Sequence, residues 1–428
     1  LDGYQYDLAA STRGPGLPSA HLALQGQGDL RGIALESLRL EALEGRVEGG
    51  GRATWDPAVS WEARLTWSGV NPGAYLADWR GRLEGRVESQ GTLEPDGPRA
   101  SARIEGLTGE LRGFPVAARG RLELAGPALR VEGLEAVSGP TRLGVDGAAG
   151  ASALDLGFAL SSPDLGTLLP DASGRVEAKG RLVGTPQAPE IRLDLSAQGA
   201  EVAGQGMGRL KAEVDLVLAP EGPFDIRVEG ADLVAGGLRF DQILVRGEGA
   251  MPDHRLSLSL AGVPLSARLE ATGSLAADRS YQGTLGRLDL DSAAWGDWRL
   301  QRPVPLRLAG SRIAAGPLCL RTGSGSGGCL GFDQTEAGRW GLDIDLDRLG
   351  VDLVQGLLPA TVAAEGAARV KGRFQAEGPV LSGAATAEIP EGRLRITQGR
   401  GAWEVLEVSG ARLRLDSGAT GIAARLEL

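Results

Sequence analysis

Few residues in this 428-residue chain could perform acid–base, nucleophilic or metal chemistry. Histidine occurs only at His21 and His254, and cysteine only at Cys319 and Cys329. A zinc site or a Cys–His nucleophile pair needs such side chains close together, and no spacing in the sequence predicts this. Carboxylates are plentiful but scattered, and no spacing singles out an acid–base pair. We therefore predict no catalytic residue, no metal site and no cofactor, and we expect the protein not to be an enzyme.

One glycine pattern resembles a nucleotide-binding loop. Gly323, Gly325 and Gly328 match the spacing G-x-G-x-x-G. In a dinucleotide-binding fold that loop opens a helix, and the helix N-terminus holds the pyrophosphate. No helical pattern follows this Ser/Gly-rich segment, so we interpret it as a turn.

The two cysteines bracket that turn. Cys319 and Cys329 stand on adjoining apolar segments on either side of it, which predicts a β-hairpin with a disulfide across it. Closing so short a loop contributes about 2 to 3 kcal/mol to stability in the chain-entropy account, and disulfides persist in oxidising compartments. The alternative is a pair of incidental thiols in a cytosolic protein.

The elements that position these residues follow one repeating unit. Alternate apolar residues from Leu154 to Leu160 predict a strand with one apolar face. Ser162 to Asp164 then predicts a helix start, and Pro170 ends the helix after little more than one turn. A second alternating segment runs from Gly174 to Thr185.

The same unit occurs 93 residues earlier, with Gly73 matching Gly166 and Arg82 matching Arg175. A looser third copy begins at Trp340 and includes a short apolar stretch from Val351 to Leu358. Repetition on this scale predicts modular architecture. We expect residues 1–428 to form one continuous repeat-built structure, with approximate units at 55–147, 148–253, 254–339 and 340–428.

No helical period is long enough to cover a sheet, so the predicted class is all-β, with about 35 to 40 strand-length segments and a few helical turns. The apolar faces could close into a sandwich or β-helix with a dry core, or line an open trough. The chain has 67 Gly but only eight Trp, four Tyr and six Phe, which makes a filled core harder to build. This favours the trough without deciding the question.

Alternate apolar residues of the best-formed strands are the candidate groove-lining residues, since within each strand they share one face. The clearest strand pair is a predicted hairpin from His254 to Ala271. The candidates are Leu193, Leu195, Leu256, Leu258, Leu260, Leu265, Leu269, Leu306, Leu308, Leu342, Ile344 and Leu346.

Charge and hydropathy restrict the partners. The net charge of −10 argues against nucleic acid, because neutralising phosphates needs a basic face. Arginines at polar-face positions predict a solvated face; the alternative places some of them at a groove rim, near phosphate headgroups. No run approaches the roughly 18 apolar residues of a membrane helix, and no signal peptide is present. The chain begins at Leu1 without Met, so we expect a fragment whose membrane anchor lies outside it.

Short motifs follow one another in a distinctive order between His254 and Pro359. They are His254-Arg-Leu-Ser-Leu-Ser-Leu, Gly283-x-Leu285-x-x-Leu288, Trp298-x-Leu300-x-x-Pro303, Cys319-Leu320, Cys329-Leu330 and Leu357-Leu358-Pro359. With these motifs the segment resembles the TamB family, the inner-membrane subunit of the translocation and assembly module, within the AsmA-like group. Tyr281 departs from the pattern, where Trp is expected. Repeat features such as Gly180 to Pro186 extend the likeness over most of the chain.

The resemblance implies an elongated, curled, U-shaped (taco-like) β-sheet with a hydrophobic groove. It also implies a periplasmic location, an inner-membrane anchor outside this chain, and contact with the outer-membrane barrel TamA through a region not present here. The implied function is conduction of phospholipids, held by their acyl chains, between inner and outer membranes. Alternatives are a scaffold for assembling outer-membrane proteins and autotransporters, or a passive β-helical stalk.

Overall fold

The computed structural model describes residues 3–427 except 15, 16, 236, 264, 277, 294, 295, 337, 351–361, 379, 399–401, 419 and 420. Within this part of the chain are 28 strands and two short 3-10 helices. The chain divides into two compact units, Leu1–Ala219 and Pro220–Leu428. The predicted all-β class with few helical turns is confirmed. The predicted repeat boundaries stay a prediction.

Unit 1 is an antiparallel meander in which each strand pairs with the next one in the chain. Its two helices, η1 (Pro72–Ala74) and η2 (Leu165–Thr167), follow β5 and β11. The strands are β1 Tyr4–Gly14, β2 Leu17–Gly28, β3 Gly32–Ala42, β4 Gly45–Thr54, β5 Val59–Val70, β6 Gly81–Glu94, β7 Gly97–Leu111, β8 Phe114–Ala125, β9 Ala128–Ser138, β10 Thr141–Ala149, β11 Leu154–Ser162, β12 Ala172–Thr185, β13 Ala188–Val202 and β14 Gln205–Val217.

Unit 2 is also an antiparallel meander, with one interruption. Its strands are β15 Pro223–Ala235, β16 Leu238–Ala250, β17 Asp253–Val263, β18 Ser266–Leu275, β19 Tyr281–Ser292, β20 Gly296–Leu300, β21 Val304–Ala309, β22 Arg312–Thr322, β23 Gly327–Glu336, β24 Arg339–Gly350, β25 Val362–Glu377, β26 Val380–Gln398, β27 Ala402–Gly418 and β28 Gly421–Glu427.

The expected 35 to 40 segments were an overestimate, because β-bulges interrupt the alternation without ending a strand. Strand β3, for example, contains two apolar pairs, one ending at Leu35 and one beginning at Leu38, that the sequence pattern suggests are separate strands. The register of β3 with β4 shifts between these two residues. A bulge places one extra residue opposite a single partner, so the strand continues after it. The strands are therefore fewer and longer than the periodicity suggests.

The two 3-10 helices confirm the helical turn predicted in the repeated unit. Asn71 caps η1 by accepting hydrogen bonds from the backbone N–H groups of Gly73 and Gly81, each at 3.0 Å. Asp164 caps η2 through Gly166 N–H. The matching stretch of the third copy, Val351 to Leu358, lies outside the described residues. None of the described helices is long and apolar enough to cross a membrane.

The interruption in unit 2 lies where two short strands, β20 and β21, together take the place of one strand between β19 and β22. β19 pairs with β20 through residues 289–292 and with β21 through residues 281–285, and β22 pairs with both. The connection contains Pro303, which has no N–H to donate to a ladder. Beside it, Ala271, Leu285 and Val304 form a buried cluster, in which Val304 is 1% exposed.

Two glycines of β10 provide a matched test of this packing. Gly147 has a φ of 130°, and a Cβ there would overlap the carbonyl oxygen of Asp155, whereas Gly144 has no atom within 4 Å of its Cβ position. Gly147→Ala should lower the free energy of unfolding by about 1 to 3 kcal/mol. Gly144→Ala should leave it unchanged or raise it by about 0.4 to 1 kcal/mol. Urea unfolding followed by circular dichroism measures both; equal midpoints for the two variants would contradict the register of β10.

Candidate functional site

Mostly apolar residues and glycines form rows across the strands of unit 1. Residues directly opposite each other in an antiparallel pair share a face, so each row lies on one side of the sheet. One row passes through the repeated unit, where Ile191 lies opposite Leu182 and Leu182 opposite Leu156. From β14 to β1 the row is Leu216, Ile191, Leu182, Leu156, Gly147, Val131, Leu122, Ala102, Ser89, Ala63, Gly51, Leu35, Gly26 and Tyr6.

Two of the predicted groove residues belong to parallel rows on that face. Leu193 lies opposite Gly180 and Val214, and Leu195 lies opposite Ala178 and Ala212. The register therefore places residues of β12, β13 and β14 side by side on one face, which the alternation within β13 alone could not show. We call this side of each unit the apolar face.

Unit 2 carries an equivalent apolar face. Leu258 of β17 lies opposite Val245 and Leu269, and Ile344 of β24 lies opposite Leu330 and Gly372. One prediction needs correction: Leu265 precedes β18, which begins at Ser266, so it is not a strand residue. The other predicted residues in this unit lie in strands, namely Leu256, Leu260, Leu269, Leu306, Leu308, Leu342 and Leu346.

The apolar face remains partly accessible. Phe158, Leu143, Leu256 and Leu308 lie in its rows and are 40%, 37%, 36% and 38% exposed. Side chains in a filled core fall well below these values, as Val304 does. A second layer of protein covering the face would bury these side chains. Hence apolar surface is left in contact with solvent along each unit.

Aromatic rings on the apolar face lie over glycines of the neighbouring strand. A Cβ at Gly180 would overlap the ring of Phe158, and one at Gly85 would lie 2.6 Å from Trp67 Cζ2. Glycine leaves space that any other residue would fill, so the rings can pack flat against the backbone. At these two positions glycine therefore lets a ring occupy the space above the neighbouring strand.

The opposite face is charged, and its ion pairs follow the same register. Arg119 lies opposite Glu135, with Nη2 2.7 Å from Oε2, and Arg64 lies opposite Glu88, with Nε 2.9 Å from Oε1. Unit 2 repeats the pattern with Arg412 and Glu388 at 2.7 Å. These side chains are largely solvated, so each pair contributes only about 0.2 to 1 kcal/mol. They oppose register slips more than they add stability.

A buried hydroxyl cluster, which the sequence pattern did not predict, fastens η2 to the apolar face. Thr141 Oγ1 lies 2.7 Å from Ser162 Oγ and 2.6 Å from Thr167 Oγ1, and all three residues are almost fully buried. Ser162 continues the alternation of Leu160, so this contact is on the apolar side of the sheet. The helix-entry signal at residues 162–164 could be read from the sequence, whereas Thr141, its partner across the strands, could not.

Among the residues that the structure describes, the two histidines lie far apart in the chain and in different surroundings. His21 is exposed on β2 in unit 1, whereas His254 is buried on β17 in unit 2, with Nδ1 3.2 Å from the carbonyl oxygens of Ala250 and Met251. The aromatic neighbours of His254 include Tyr281, whose ring centroid is 5.6 Å away and whose pKa is raised by burial. Within the described residues, no group of three or more His, Cys, Asp or Glu could hold a metal ion.

The glycine pattern at residues 323–328 forms a closed turn. Thr322 Oγ1 accepts the Ser326 N–H at 3.0 Å, and β23 begins directly afterwards at Gly327. Strand rather than helix follows the loop, so it lacks the helix N-terminus that a dinucleotide site requires.

Cys319 and Cys329 lie directly opposite each other on β22 and β23, with their sulfur atoms at bonding distance. Both alternate with the apolar residues Leu318 and Leu330, so the pair is on the charged side of the sheet. The backbone carbonyl of Cys319 also accepts the Gln301 N–H at 2.9 Å. The pair therefore lies on β22 and β23 beside the interruption between β20 and β21.

Mapping of non-reduced peptides should recover residues 319 and 329 in one linked fragment. Replacing both cysteines, in Cys319→Ser/Cys329→Ser, should lower the free energy of unfolding by about 2 to 3 kcal/mol. Free thiols in protein prepared under oxidising conditions would exclude the bridge. Wild-type protein under reducing conditions is the control, and it should unfold at the midpoint of the double variant.

The fold and the two faces define a class: a many-stranded antiparallel β protein with one charged face and one exposed apolar face. The family model described as "TamB, N-terminal domain" matches residues 1–426, and the chain belongs to this family. A relative from Haemophilus influenzae, described as "Translocation and assembly module subunit TamB", is 22% identical over 389 residues. The alignment covers 89% of this chain but 29% of that relative. No solved structure matches.

Proposed function

We propose that the chain is a section of a periplasmic protein whose apolar face conducts phospholipids between the inner and outer membranes. The observation that supports this is the partial exposure of the apolar rows, including Phe158 and Leu256. Monomeric proteins rarely leave long apolar surfaces in water unless something binds there. Acyl chains match a surface that is apolar, continuous across strands and poor in hydrogen-bonding side chains.

The energetics favour such a path. Each methylene moved into water costs about 0.8 kcal/mol, so a two-chain phospholipid crossing freely faces a barrier on the order of 20 kcal/mol. An apolar surface that continues from strand to strand keeps the chains out of water at each step and removes most of that barrier.

The same proposal assigns the location and partners. The name of the Haemophilus relative places that protein in a translocation and assembly module, and we extend this role to the present chain. We propose that a segment outside these residues anchors the protein in the inner membrane. The barrel TamA is the proposed outer-membrane partner, also through a region outside them. The cysteine pair supports an oxidising compartment such as the periplasm.

A passive stalk is disfavoured, because a stalk would bury its apolar side chains in a filled interior. Packing of that kind is confined, within the described residues, to local clusters such as Ala271, Leu285 and Val304. A scaffold for client β-strands would also use an exposed face, and the experiment below separates it from a lipid path.

A charge placed on the apolar face should stop lipid passage and leave the fold intact. Leu258→Asp and Ile344→Arg put charges opposite apolar neighbours. Water can hydrate these charges on an exposed face, whereas an unpaired charge in a dry core would unfold the protein. We expect at least a several-fold loss of crosslinking to a photoreactive phospholipid, with the circular dichroism spectrum unchanged.

The matched control is Ser259→Asp, on the charged side of the same strand and opposite Arg268. It should fold and crosslink as wild type does. Unfolding of both apolar-face variants would favour a packed core. Folded variants with normal lipid crosslinking but impaired assembly of outer-membrane proteins would favour the scaffold.

A further inference from the structure

One arginine in the loops of unit 1, on the side of η1 and η2, makes contacts that neither the apolar face nor the charged face explains. Arg112 lies in the turn between β7 and β8, and its backbone N–H donates to the carbonyl of Arg80 at 2.7 Å. Its Nη2 donates to the carbonyl of Gly166 in η2 at 3.1 Å. Its guanidinium carbon lies 5.7 Å from the centre of the Trp79 ring, in the segment that follows η1. The side chain therefore bridges the two helical segments of the repeated unit.

The second terminal nitrogen of Arg112 has no partner. Nη1 is buried and makes no hydrogen bond, and it is the one such side-chain nitrogen or oxygen within the described residues. A guanidinium is always charged and carries five N–H donors in a fixed plane. Leaving a buried donor of a charged group unmet costs more than leaving a neutral one. Arg112 also forms no ion pair within the described part of the chain, in contrast to Arg119 nearby.

The surroundings place this guanidinium beside the apolar face. Gly166, which it contacts, precedes Thr167, and Thr167 is bonded to Thr141 on that face. Phe114, two residues after Arg112, also packs there, because the Cβ position of Gly139 is 3.2 Å from the Phe114 ring and 3.4 Å from Thr167 Cγ2. An unmatched cation thus lies where an apolar surface meets the loop edge of the sheet.

We propose that Arg112 binds the phosphate of a phospholipid whose acyl chains lie on the apolar face. Phosphate accepts hydrogen bonds from guanidinium in a planar, paired geometry and supplies the missing negative charge. Trp79, which is 38% exposed, flanks the guanidinium and covers part of it from water. This site rests on the proposed lipid path and adds to it a point that recognises the headgroup.

The test compares two lipids with identical acyl chains, dioleoyl phosphatidylglycerol and dioleoylglycerol, of which only the first has a phosphate. The chain, purified without detergent, is incubated with an equal mixture, and the bound lipids are measured by mass spectrometry. Wild type should retain phosphatidylglycerol in preference. Arg112→Gln should reduce that preference about tenfold, the effect of losing one charge-assisted hydrogen bond. The backbone hydrogen bond from Arg112 N–H to Arg80 does not depend on the side chain and remains in this variant, so circular dichroism should be unchanged.

The control is Arg130→Gln, which removes an exposed arginine from the charged face of β9 and should preserve the wild-type preference. If Arg112→Gln fails to fold, Arg112→Lys replaces it; lysine keeps the charge but lacks the planar fork that offers a phosphate two parallel N–H donors. Its selectivity should then fall between wild type and no preference, and wild-type selectivity in this variant would overturn the site.

The remaining outcomes separate this site from the lipid path itself. If both lipids bind equally to wild type and variant, the path stands and the phosphate site is wrong. If wild type binds neither lipid, both proposals fail. Inorganic phosphate should not displace phosphatidylglycerol, because it lacks the apolar contacts of the acyl chains. Displacement by inorganic phosphate at the concentration of the lipid would identify a site for free phosphate and overturn the headgroup assignment.

Discussion

The antiparallel backbone ladder is the constraint on which the rest of this structure depends. Side chains alternate between the faces of a strand, so a slip of one residue would exchange the apolar and charged faces of that strand. The row through Leu182 and Ile191 exists because the register between β11, β12 and β13 holds at these residues. Cross-strand pairs such as Arg119 with Glu135 oppose a slip, because it would place their charges among leucines.

Glycine makes that register compatible with an accessible surface. Where a ring such as that of Phe158 lies on Gly180, the glycine admits close packing that any side chain would prevent. At Gly147 the backbone itself comes so near Asp155 that only glycine fits.

Among the described residues, the pattern is broken beside β20 and again at η2. Between β20 and β21 the sheet is interrupted; the buried cluster around Val304 lies beside the gap, and the cysteine pair lies nearby on the opposite face. At η2 the chain folds back over the apolar face, where Thr141 and Ser162 meet Thr167 through hydroxyl groups rather than methyl groups. A buried polar cluster is stable when its members satisfy one another, as these do.

The sequence by itself determined the strand class, the apolar side of each strand and the two helical turns, because alternation, proline and capping residues act over a few neighbouring positions. It also placed Cys319 and Cys329 on one hairpin. Only the tertiary structure decided which residues meet across strands, because bulges such as the one in β3 shift the register without a clear local signal. For the same reason the sequence pattern predicted too many strands. The exposure of the apolar face, the hydroxyl cluster at η2 and the meeting of Arg112 with Trp79 and Gly166 arise between segments far apart in the chain. Local periodicity carries no information about such contacts.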